Sequence, residues 1–157
     1  LGTDVCGFDG CSIPTYAVPL KSIAHGFARM ATGVRLGEER AKAAKTLMDA
    51  CMAEPFYVAG TGRMCTELME LAPGRIFVKV GAEGVYCGAI PELGLGIALK
   101  CEDGAERAAN VMIAAVLAKL LKDDAELSAK LAEKARPKLS NWNKMMVGSL
   151  QPAGELA

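Results

Sequence analysis

The chain has 157 residues, 52% of them hydrophobic and 23% charged, with 18 basic and 18 acidic side chains that cancel to a net charge of zero. Such a length suits a single domain (residues 1–157) able to bury roughly 68–70% of its extended surface, and the composition excludes a disordered chain. The balanced charge, without a long run of one sign, argues against nucleic acid or an acidic membrane as the main partner, and no apolar run reaches the ~20 residues of a membrane span.

The six cysteines are scattered, no C-x-x-C occurs, and no signal peptide opens the sequence, so reduced thiols in a cytoplasm are expected. The chain starts at Leu1 rather than Met; we expect a piece of a longer polypeptide. Leucine cannot serve as an N-terminal nucleophile.

Residues 2–14 carry Gly2, Gly7, Gly10 and Pro14 and read as loop. Asp4, Cys6, Asp9 and Cys11 lie within it as potential ligands, but two cysteines five apart cannot complete a closed four-ligand zinc site. Leu20, Ile23, Ala24, Phe27, Met30 and Ala31 recur at helical spacing, which predicts a helix over 19–32 ended by Gly33. His25, the only histidine, falls off that stripe. A second helix is predicted over 38–53, with Glu38 and Glu39 in its first turn, Pro55 beyond its end, and Leu47 among its apolar residues. Residues 56–63 then link to a third helix over 64–71. There Gly60 and Gly62 allow a sharp turn, Thr61 is placed to cap, and Arg63 is a candidate for holding a carboxylate.

Residues 75–100 alternate as strands do. Ile76, Val78 and Val80 share one face, and Phe77 and Lys79 the other. Gly81 and Gly84 supply a turn, 85–90 runs back, and 95–101 makes a third strand. Connections this short require an antiparallel meander. Asp103 and Glu106 match a capping box in form. They head a helix whose two-wide stripe from Ala105 to Leu121 would cover one face of the sheet. A shorter helix over 125–135 ends at Pro137, and 145–150 could add an edge strand. The fold class expected is α+β, an antiparallel β-meander flanked by helices.

Lys79 is placed at the end of the first strand, turned away from the core by Val78 and Val80. Lys79-Val80-Gly81 resembles the K-T-G element of β-lactamases and penicillin-binding proteins, where the cation favours developing negative charge and helps activate a serine. The wider context is DGCSIPTYAVPL at 9–20, VAGTGR at 58–63, VKVGAEGVY at 78–86, GLGIALKCEDG at 94–104 and NWNKMMVGSLQP at 141–152. On these stretches, in this order, the whole chain resembles the Rhizobium-type L-asparaginases, the asparaginase II family, which have a serine β-lactamase-like fold.

The resemblance implies an amidohydrolase that splits asparagine, a small amide, into aspartate and ammonia through a serine acyl-enzyme. It implies Lys79 as the strand lysine facing the nucleophile, Asp9 as a polar neighbour of the site, and Cys11 as one ligand of a zinc ion. The family's other metal ligands come from a Cys-Ser-Gly-Lys segment that is absent here. So is its Ser-x-x-Lys pair: Ser12, Ser22, Ser128, Ser140 and Ser149 all lack a lysine three positions on. The chain is therefore expected to be the C-terminal half of such an enzyme, inactive alone. Its partner would be the missing N-terminal half or a second copy. The alternative is a non-catalytic α/β binding or dimerisation module derived from that family.

Overall fold

A computed structural model describes residues 3–157. A short 3-10 turn leads to a hairpin of β1 (Cys6–Phe8) and β2 (Pro14–Tyr16), and four helices follow: α1 (Leu20–Thr32), α2 (Glu38–Ala53), α3 (Pro55–Ala59) and α4 (Met64–Leu71). Next come three strands, β3 (Phe77–Gly81), β4 (Val85–Ile90) and β5 (Leu95–Lys100), and two helices, α5 (Glu106–Leu120) and α6 (Ala125–Lys134). A second hairpin, β6 (Lys138–Ser140) with β7 (Met146–Ser149), precedes a last 3-10 turn. The architecture is α+β with every pairing antiparallel, and β3-β4-β5 is the expected meander. Among the described residues, no helix is long and apolar enough to cross a membrane.

The register explains the sheet's two faces. Val80 pairs with Tyr86 and Tyr86 with Leu99, so these three share a face with Val78 and Ile97. That face meets Cys65, Leu68 and Met69 of α4 and Ala109, Ile113 and Leu117 of α5, all six fully buried. Burying side chains such as Leu68, Ile113 and Leu117 contributes ~1.5–3 kcal/mol each. Phe77, Lys79, Cys87, Ala89, Gly96 and Ala98 share the opposite face, where α1 lies. Phe27 stacks on Phe77 with ring centroids 5.9 Å apart. Gly96 lets the helix come closer still, since a β-carbon there would sit 1.8 Å from the Ala24 carbonyl oxygen. The apolar stripe of α1 thus has its target in small residues of β4 and β5.

Several local expectations change. Residues 2–14 are not all loop: β1 and β2 pair across a tight turn, and Gly2 lies outside the described residues. The link after α2 contains α3, because Pro55 suits a first helical turn. Thr61 does not cap α4; its N-cap is Arg63, with no side-chain bond, and Thr66 Oγ1 instead donates to the Gly60 carbonyl at 2.7 Å. Asp103 and Glu106 form no capping box. Gly104 turns the chain with φ +67°, so Ala105 becomes the N-cap and Asp103 Oδ1 accepts the Ala105 N–H at 2.9 Å. In the β3–β4 turn the left-handed residues are Glu83 and Gly84 rather than two glycines, and the Lys100 ammonium donates to the Glu83 carbonyl. Leu47 points to solvent at 64% exposure. Residues 146–149 pair with β6, not with the meander.

One ion-pair fork ties the meander to its surroundings. Arg75 Nη2 lies 2.8 Å from Glu92 Oε1 and Arg75 Nη1 2.7 Å from Asp124 Oδ2. The guanidinium thereby joins the lead into β3, the turn after β4 and the start of α6.

Candidate functional site

Lys79 is the third of the five residues of β3, not a strand-end residue as its place before Gly81 suggested. Its side chain leaves the core, as expected from the burial of Val78, and Nζ donates to the Val80 carbonyl at 2.7 Å. Cys87 is its cross-strand neighbour. Burial pushes that thiol's pKa up, so beside the ammonium stands a neutral, half-buried group.

Behind Lys79 runs a buried chain of hydrogen bonds. The Val80 N–H donates to Cys65 Sγ at 3.2 Å, the Cys65 thiol donates to Tyr86 Oη at 3.6 Å, and the Tyr86 hydroxyl donates to Asn110 Oδ1 at 2.9 Å. It crosses from β3 to α4, back to β4 and on to α5. Burial, followed by the Cys65 contact, raises the Tyr86 pKa far above the usual phenol range, so Tyr86 stays a neutral donor. Every buried polar side-chain atom among the described residues has a partner, as a low-dielectric interior demands. This network fixes the strand edge on which Lys79 sits. Its sequence signal was an asparagine, Asn110, inside the otherwise apolar and alanine-rich run of α5.

Arg63 immediately precedes α4, two residues before Cys65, and its Nη2 lies 2.9 Å from Glu106 Oε1 at the start of α5. The Val80–Cys65 contact brings the backbone beside Lys79 close to the start of α4, but the Lys79 side chain belongs to the α1 face of the sheet whereas Arg63 pairs with α5 on the other side. Both partners of the Arg63–Glu106 pair are nearly half exposed, so the pair contributes at most ~1 kcal/mol.

Asp9 and Cys11 are elsewhere, at the tip of the β1–β2 hairpin. Asp9 Oδ1 accepts the Cys11 N–H at 2.7 Å, and the turn passes through Ser12 at φ +66°. The Cys11 side chain and then its N–H hold the Asp9 carboxyl below the usual carboxylate range. Residues 7–17 are all exposed. Among the described residues no hydrogen bond or salt bridge joins this tip to Lys79 or Arg63. Among the described residues, no three His, Cys, Asp or Glu side chains gather there to hold a metal ion. One thiol beside one carboxylate does not fit a zinc site that needs four ligands. The candidate residues therefore fall in separate places: Lys79 on a strand with a rigid base, Arg63 at the head of α4, and Asp9 with Cys11 at an exposed thiol–carboxylate tip.

The family model described as L-asparaginase II matches residues 2–152, nearly the whole of the chain. No curated protein matches it.

Proposed function

The chain belongs to the L-asparaginase II family, and on that premise we propose that it is the C-terminal portion of an asparagine-splitting amidohydrolase whose serine nucleophile lies in another segment. The observation that carries the reading is Lys79. It is an exposed ammonium on a strand that the Cys65–Tyr86–Asn110 chain holds still, in a chain whose serines include no Ser-x-x-Lys.

In this reading the absent serine attacks the side-chain carboxamide carbon and the C–N bond breaks to release ammonia. Water then hydrolyses the acyl ester to aspartate. Lys79 exchanges its bond to the Val80 carbonyl for the oxygen that gains negative charge, or for the serine hydroxyl. Arg63, whose surface ion pair is weak, exchanges Glu106 for a substrate carboxylate, and Asp9 is a polar neighbour at the closed site. Cys11 would be one thiolate ligand of a zinc ion whose remaining ligands would come from outside this chain. Six free thiols support a reducing cytoplasm as its location.

The test is ammonia release from asparagine by the chain alone and by the chain joined to a segment that bears Ser-x-x-Lys. The chain alone should release none. The joined protein should turn over, and Lys79→Ala should lower that turnover ~10²–10³-fold, the loss expected for one group that stabilises an oxyanion. Ammonia release by the chain alone, or normal turnover in Lys79→Ala, overturns the proposal. A joined protein that folds and binds asparagine without splitting it would instead favour a non-catalytic binding module.

A further inference from the structure

Helices α5 and α6 pack against each other, and the cations between residues 119 and 136 divide by where they stand. Two have carboxylate partners: Lys130 Nζ lies 2.7 Å from Glu126 Oε1, and Lys134 Nζ 2.7 Å from Glu67 Oε2. The others, Lys119, Lys122 and Arg136, border one cavity of about 510 Å³ between the two helices. Among the described residues none of these three forms a salt bridge, and no Asp or Glu lines the cavity. A cation near a helix C-terminus gains from the helix dipole, which accounts for Lys119 and Arg136 one at a time. It does not account for three cations around one cavity that holds no acid.

The rest of the lining is apolar. Ala115 and Ala118 of α5 and Ala135 at the end of α6 are buried, Ala132 is half-buried, and Pro152 and Leu156 of the C-terminal segment form a wall. Side chains this small leave the space between the helices open. The Ser128 hydroxyl gives its proton to the Ala118 carbonyl at 2.9 Å, so donation to a guest falls to the cations. Lys119 donates to the Glu155 carbonyl and Arg136 to the Ala132 carbonyl, which leaves further N–H groups on both. The volume lies within the ~300–1,000 Å³ of small-molecule sites.

We propose that this cavity binds a small aliphatic carboxylic acid as its anion, with the chain on the alanine floor and the carboxylate paired with the cations at the rim. Bonds from ammonium and guanidinium groups to a carboxylate are charge-assisted and strong. An apolar lining with a few charged groups is the usual composition of a small-molecule site. The guest carries no ammonium group, because no lining carboxylate would receive one. Amino acids, asparagine and aspartate among them, are thereby excluded. The site is distinct from the substrate site proposed above and does not depend on the hydrolase reading.

Titration calorimetry of the whole chain with octanoate tests it. Octanoate is expected to bind, more weakly as salt is raised, and affinity is expected to rise up to about fourfold for each methylene added from butanoate to octanoate. Octylamine, the same chain with the opposite charge, is expected not to bind, and asparagine is expected not to compete. Lys119→Gln, Lys122→Gln and Arg136→Gln together, all at exposed side chains, are expected to weaken octanoate at least about tenfold. Lys130→Gln, at a paired cation outside the cavity, is expected to leave it unchanged. No binding of octanoate up to ~10 mM overturns the proposal, as does equal weakening by Lys130→Gln, or octylamine that binds as tightly as octanoate. Inorganic phosphate that binds as tightly as octanoate overturns the role of the alanine floor, and displacement by asparagine overturns the separation from the substrate site.

Discussion

The meander and the two hairpins are made of the same kind of strand, short and antiparallel, yet their surroundings differ. Between β3 and β5 helices cover both faces of the sheet: α1 over Phe77 and Gly96, α4 and α5 over Val78 and Tyr86. β1–β2 and β6–β7 are paired as well, the latter with a bulge between Leu139 and Ser140, but among the described residues no other element packs extensively on either hairpin. Pairing alone does not bury a strand. Burial needs an apolar element on a face, and where none is present the residues that would fill a core remain open to another molecule.

Glycine substitutions break this comparison most sharply. A β-carbon at Gly96 would lie 1.8 Å from the Ala24 carbonyl oxygen and 2.5 Å from the Ala28 nitrogen. Both are backbone atoms of α1, so only a shift of the whole helix relieves the clash. Gly96→Ala is expected to lower stability by about 3 kcal/mol, the upper range for overpacking. Gly148, in the second hairpin, has nothing within 4 Å of that position, and Gly148→Ala should stay within ~0.5 kcal/mol of wild type. Urea midpoints measure both. Equal losses would mean that the hairpin is as tightly enclosed as the sheet.

A smaller effect is expected from the network beneath Lys79. Tyr86→Phe keeps the ring and leaves the Cys65 thiol and Asn110 Oδ1 without their partner, at a cost of ~1–2 kcal/mol. Removing the exposed Trp142 instead should leave stability nearly unchanged. A neutral Tyr86→Phe would show that water replaces the hydroxyl and that β3 is held by packing alone.

The meander was legible because alternation, glycine turns and connection length all agreed over residues 75–100. The stripe of α5 was legible for a similar reason, since its small residues recur without a break. What escaped was decided by contacts between distant parts of the chain. Nothing local to Gly96 announces that α1 passes over it, and nothing in the spacing of Asp103 and Glu106 shows that Gly104 turns the chain between them. Strands of three residues such as β1 and β6 are too short for a period to emerge. Of the site, Lys79 and Arg63 were named from sequence and lie on β3 and at the head of α4, and Asp9 and Cys11 lie on a hairpin tip. Cys65, Tyr86 and Asn110 were not named, because their link exists only once β3, β4, α4 and α5 are stacked.

The finest expected effect concerns acid and the fork at Arg75. Asp124 caps α6 through Oδ1, which accepts the Leu127 N–H at 3.1 Å, and its Oδ2 takes the Arg75 guanidinium at 2.7 Å. Arg75 first, and the Leu127 N–H second, hold this carboxyl below the usual carboxylate range. The folded pKa is therefore the lower of the two, and in acid the unfolded chain binds the extra proton. The stabilisation is complete above the ordinary carboxylate value and disappears as pH falls through the folded one. Asp124→Asn separates charge from cap, because asparagine is about as good an N-cap as aspartate but gives Arg75 no charge. The stability gap between wild type and Asp124→Asn should be constant near neutrality and close as the pH drops below the usual carboxylate range. Urea titrations at a series of pH values read this directly, whereas guanidinium salts would screen the pair. A gap that stays open in acid would assign the contribution of Asp124 to the cap, and the fork would then fasten the sheet to α6 by geometry rather than by charge.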